Sequence, residues 1–108
     1  MDTELHTAAM NGDLEKLRTL IARGDDINAQ GVNKRTPLIS AAMTGQTAAV
    51  ALLLGAGADV HRVDGYMSTP LHAAAELGFV ETCNVLLRAG SRVDQGNKNQ
   101  STALLLAA

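Results

Sequence analysis

Apolar residues recur along this chain at helical spacing, in short stretches broken by glycine. Leu14, Leu17, Leu20 and Ile21 fall at i, i+3, i+6 and i+7, while Glu15, Lys16, Arg18 and Thr19 make the opposite face polar. That pattern predicts an amphipathic helix over about 13–23. A shorter helix to about Asn11 precedes it, with Thr3 placed as N-cap, Glu4 in the first turn and Gly12 as the stop. Two more stretches repeat the long helix. One spans about 46–54, with Val50, Leu53 and Leu54 inward and Thr47, Ala48, Ala49 and Ala51 outward; the other places Val80, Cys83, Leu86 and Leu87 on an apolar face. Between them, Asn28 to Arg35 is rich in turn formers and lacks helical periodicity, as a projecting hairpin-like loop would.

These stretches are copies of one another. Thr3-Glu4-Leu5-His6-Thr7-Ala8-Ala9, Thr36-Pro37-Leu38-Ile39-Ser40-Ala41-Ala42, Thr69-Pro70-Leu71-His72-Ala73-Ala74-Ala75 and Thr102-Ala103-Leu104-Leu105-Leu106-Ala107-Ala108 share one register, with leucines at 5, 38, 71 and 104, a period of 33. Gly12, Gly45 and Gly78 keep the same period, as do Gly24, Gly57 and Gly90, the latter set read as glycines that end a helix in left-handed geometry. Self-similarity at this length marks a solenoid, in which each unit packs only on its neighbours. The predicted fold is all-α, a solenoid of short helices broken at glycines and joined by turns. The units run from about 1–30 (an N-terminal cap with a wet outer face), 31–62, 63–94 and a partial fourth over 95–108. Leu104, Leu106, Ala107 and Ala108 align with a buried face that has no second helix after it, so the reading expects this edge to be covered by further chain or a second molecule.

The TPLHAAA heptapeptide and the paired glycine registers resemble the ankyrin-repeat family over essentially the whole chain. The resemblance implies two antiparallel helices and a finger per repeat, with fingers and first helices lining a concave groove. It implies that Thr36 and Thr69 lock their helix starts by hydrogen bonding, and that His6 and His72 bond backbone of a neighbouring repeat. The chain departs from the pattern where Ile39 and Leu105 replace the histidine, Glu4 and Ala103 the proline, and Gly31 the finger residue held elsewhere by Asp64 and Asn97. These departures are expected to weaken the second and fourth units locally.

Composition narrows the function. Net charge is −2, and acids and bases are mixed, 6 and 5 over residues 1–54 and 5 and 4 over 55–108. The longest basic run is Lys34-Arg35, which is too little to neutralise a phosphate backbone, so nucleic acid is not expected as a partner. No leader pattern or run of about 18 apolar residues occurs, so neither secretion nor a membrane partner is indicated. The lone Cys83 fits an intracellular, reducing setting, with the cytoplasm as the expected compartment. His6 and His72 stand two periods apart and do not converge, and Cys83 aligns with the inward Leu17 and Val50, so no metal, cofactor or catalytic set is expected. Arg23-Gly24-Asp25 and Asn99-Gln100-Ser101 spell an adhesion tripeptide and a glycosylation acceptor, but the first falls at a helix-ending glycine and the second requires the secretory route that is not indicated.

What remains is recognition without catalysis: a fixed frame leaves outward side chains free to specify a protein or peptide partner. From the family resemblance those positions are Val32, Asn33, Arg35, Met43 and Thr44 in the second unit, Tyr66, Ser68, Glu76 and Leu77 in the third, and Lys98 and Asn99 beyond. Tyr66, Arg35 and Met43 stand out, since aromatic residues, Arg and Met are enriched at interface centres. Two other readings are a regulatory segment of a larger enzyme or channel, and self-association through the open C-terminal edge.

Overall fold

The computed structural model describes residues 2–93. Six α-helices carry the fold: α1 (Glu4–Asn11), α2 (Leu14–Ala22), α3 (Pro37–Met43), α4 (Thr47–Gly55), α5 (Pro70–Glu76) and α6 (Val80–Val93). No strand occurs among the described residues, and the helices pair as the sequence predicts, α1 with α2, α3 with α4 and α5 with α6. The expected fourth unit lies outside the described residues.

Each short helix begins for a local reason. The Thr36 hydroxyl accepts from Ile39 N at 3.2 Å and the Thr69 hydroxyl from His72 N at 3.1 Å. Pro37 and Pro70 follow at the first helical position, where the missing N–H costs nothing. Gly12, Gly45 and Gly78 then end the short helices at φ of 68°, 69° and 79°, a left-handed geometry that glycine adopts freely. In each case the next N–H turns back to the helix, from Asp13 to Ala8 O, from Gln46 to Ala41 O and from Phe79 to Ala74 O, all at 3.0 Å.

The glycines also make room. A Cβ on Gly12 would lie 2.5 Å from Gln46 Oε1, and one on Gly45 would lie 2.9 Å from Phe79 Cε1. Each bare backbone seats a side chain of the next unit.

The six helices form two layers. Helices α1, α3 and α5 stack side by side, and α2, α4 and α6 stack behind them. The core lies between the layers and repeats with the sequence: Leu5, Leu38 and Leu71, then Leu17, Val50 and Cys83, then Leu20, Leu53 and Leu86 are buried at matching positions. Ala8, Ala9, Ala41, Ala42 and Ala74 complete it, and their small side chains allow the first helices to approach closely.

Three expectations are corrected. Ala49 is buried rather than outward, and Thr47 is half-buried and shares a 2.7 Å hydrogen bond with the buried Thr82 hydroxyl. The cause is that α4 packs on α3 and is flanked by α2 on one side and α6 on the other, so three of its faces are covered. Val80, expected inward, is 57% exposed at the start of α6, while Thr82 takes the buried place. Gly90 does not end its helix: α6 runs on to Val93, whereas Gly24 and Gly57 turn left-handed at φ of 92° and 100°.

Candidate partner-binding surface

Between α2 and α3 the chain projects a finger, Gly31 to Arg35. Gly31 N donates to Arg35 O at 2.8 Å and Arg35 N to Val32 O at 3.2 Å, with Asn33 and Lys34 at φ of 58° and 60°. Two consecutive left-handed residues make the tight hairpin turn that matches natural chain twist. The equivalent finger of the next unit closes from Asp64 N to Ser68 O at 3.0 Å, with Met67 at φ of 63°. The two are joined directly, since Gly65 N donates to Asn33 O at 2.7 Å. A Cβ on Gly65 would collide with Asn33 Oδ1 and crowd Asn33 O at 3.3 Å, so glycine eases this approach.

Carboxylates brace both fingers from within. Asp64 Oδ1 accepts from Tyr66 N at 2.8 Å and Ser68 N at 3.0 Å. At the matching position the earlier finger has Gly31, and its acceptor comes from Asp2, whose Oδ1 takes Val32 N at 2.8 Å. Gly31 leaves the space: a Cβ there would run into Asp2 Oδ1 and meet His6 Nε2 at 3.0 Å.

Fully buried His6 fixes the base of this finger. Thr3 N, which can only donate, lies 3.0 Å from its Nδ1, so the proton sits on Nε2, which donates to Arg35 O at 2.7 Å. This is the bond to a neighbouring unit that the sequence implied. His72 makes the equivalent local contact, with Thr69 N 3.4 Å from its Nδ1, but it is exposed, and the unit it would reach lies outside the described residues.

The fingertips and inner helices carry the predicted positions. Val32 (54%), Tyr66 (76%) and Leu77 (55%) are the exposed apolar ones, and Glu76 is exposed beside Leu77. Asn33, Arg35, Met43, Thr44 and Ser68 are half-buried. The Thr44 hydroxyl is spent on Ser40 O at 2.9 Å, and Ser68 contributes its backbone N–H to Asp64. Lys98 and Asn99 lie outside the described residues. Sequence reasoning missed Met67, which is 74% exposed next to Tyr66 and held in left-handed geometry. An unbranched apolar residue is thus displayed to solvent on a backbone that costs free energy.

The remaining chemistry is structural. Burial pushes the Cys83 thiol up from its usual range, away from a reactive thiolate. Arg23 and Asp25 face each other, with Nη2 to Oδ2 at 2.7 Å and Nε to Oδ1 at 3.0 Å, so the ends of the Arg-Gly-Asp string hold one another. That pairing lowers the Asp25 carboxyl and raises the Arg23 guanidinium. Among the described residues no group of His, Cys, Asp or Glu could hold a metal ion, and no helix is long and apolar enough to cross a membrane. A separate cleft of about 830 Å³ opens on the other layer, between α4 and α6, lined by Leu54, Val60, His61, Val85 and Ala89.

Comparison with known proteins agrees with this architecture. The profile of ankyrin repeats, in three copies, matches residues 5–99. A crystal structure of the human ASB11 ankyrin repeat domain is similar at a TM-score of 0.78 and 38% identity, over 82% of this chain and 40% of that one. The chain thus spans less than half the length of that relative. No curated protein sequence matches it. Ankyrin repeats are a non-catalytic fold that generally serves protein–protein interaction. With its repeat period, its paired helices and its finger turns in agreement with the matched profile, this chain belongs to the ankyrin-repeat family.

Proposed function

We propose that this chain binds a protein or peptide partner along the groove formed by its fingers and first helices, and that it performs no catalysis itself. The observation that carries this reading is the display of Tyr66 and Met67, 76% and 74% exposed, on a finger braced by Asp64. A large apolar pair on a braced backbone binds without the cost of ordering its turn, which favours it as an interface centre. Arg35 and Met43 extend the surface along the second unit, with Val32 at its fingertip and Leu77 and Glu76 at the end of α5. The buried free thiol of Cys83 is consistent with an intracellular, cytoplasmic setting.

Pull-down from a cell extract with mass spectrometry tests the proposal, using Tyr66→Ala as control. A partner retained by the natural chain and lost by the variant, at unchanged thermal stability, is the expected result. A partner that ignores Tyr66→Ala would place the contact elsewhere.

A further inference from the structure

We propose that the finger of the second unit receives a carboxylate side chain of the partner, beside an apolar side chain laid against Tyr66 and Met67. This rests on the reading that the fingers bind a polypeptide, and it names the chemistry of that polypeptide. Arg35 Nε is enclosed and has no hydrogen-bond partner, and the same is true of Asn33 Nδ2 in the same turn. Neither donor is committed to an acceptor within the chain, and the half-buried Arg35 side chain keeps an accessible part at which a partner's acceptor can be met.

The charges agree. Glu4 pairs with Lys16 and Arg23, Asp25 with Arg23, and Asp59 with Arg62, and none of these pairs includes Lys34 or Arg35. The two carboxylates that brace the fingers are directed to backbone amides, Asp2 to Val32 N and Asp64 to Tyr66 N and Ser68 N. The guanidinium of Arg35 is thus left without a carboxylate in this finger, with exposed Lys34 next to it. A planar guanidinium suits a carboxylate. The isolation of these two cations in a chain of net charge −2 favours a single acid over a polyanion. The apolar neighbour follows from Tyr66 and Met67, since the fingers are tied by the bond from Gly65 N to Asn33 O.

The test selects a displayed library of random peptides on the full chain, in parallel with Arg35→Gln and Tyr66→Ala. The expected result is enrichment of peptides that place Asp or Glu near an apolar residue, with the acid preference lost on Arg35→Gln and the apolar preference kept. A selected peptide should bind Arg35→Gln about tenfold more weakly. Exchange of its acid for the matching amide should weaken binding to the natural chain equally, a readout that holds even if Arg35→Gln folds poorly. Enriched peptides without an acid, whose binding still falls with Tyr66→Ala, would overturn this proposal and leave the groove reading standing. Peptides indifferent to both variants, or no enrichment at all, would overturn both.

Discussion

The finger of the second unit and that of the third close through equivalent backbone bonds, Gly31 to Arg35 and Asp64 to Ser68, yet their supports come from different places. The later finger braces itself through Asp64, whereas the earlier one borrows Asp2 and His6 from the preceding unit. The second position of contrast lies just beyond: Ile39 is fully buried in α3, while its counterpart His72 in α5 is exposed. The repeat therefore keeps an outline within this chain rather than a set of contacts, and a missing group can be supplied from across a unit boundary.

The largest expected effect comes from the two histidines. His6→Ala removes a buried ring, leaves Thr3 N without its acceptor and takes one of two donors from Arg35 O, and should cost about 3 kcal/mol in urea unfolding. His72→Ala should cost less than about 1 kcal/mol. Equal losses would break the contrast and mean that residues beyond 93 hold His72 as Arg35 holds His6.

Next is the exchange of supports. Gly31→Asp alone should destabilise by about 2 kcal/mol, because the added Cβ collides with Asp2 and His6. Asp2→Ala alone should cost about 1 kcal/mol through the loss of its bond to Val32 N. Together they should cost less than the sum, since the introduced carboxylate could then brace its finger as Asp64 does; strict additivity would show that the two fingers are not interchangeable.

Asp64→Ala should lower stability by about 1 kcal/mol and raise amide exchange at Tyr66 and Ser68, leaving Lys34 and Arg35 protected. Loss of protection in both fingers would mean that they open as one body. Smallest of all, Tyr66→Ala should shift stability by no more than about 0.5 kcal/mol. A larger loss would turn Tyr66 from a contact residue into a packing one.

Much of the frame was legible in the sequence because it is set by local rules. Thr36 and Thr69 cap, Pro37 and Pro70 start, Gly12, Gly45 and Gly78 stop, and Leu5, Leu38 and Leu71 fall on one buried line. What escaped depends on distance. Nothing near Asp2 announces that it braces a turn 30 residues on, and Gly31 looks like a defect until the carboxylate beside it is seen. Thr47 and Ala49 were misplaced because a one-sided helix is the wrong picture for α4, which has neighbours on both flanks. Of the candidate surface, Val32, Tyr66, Glu76 and Leu77 are exposed as the family resemblance implies. Met67 did not, because its left-handed backbone is a property of the folded turn rather than of its side chain.

The seats above Gly12 and Gly45 carry one more consequence. Gly12 receives the amide of Gln46, and Gly45 receives the ring of Phe79, so the same socket accepts a polar plug at one joint and an aromatic plug at the next. Joints that tolerate such different plugs permit an array to lengthen by copying a unit in tandem, because the duplicate brings both its own socket and its own plug. Alanine in the socket would crowd the Phe79 ring and push the Gln46 amide aside, and the left-handed backbone of both glycines disfavours it as well.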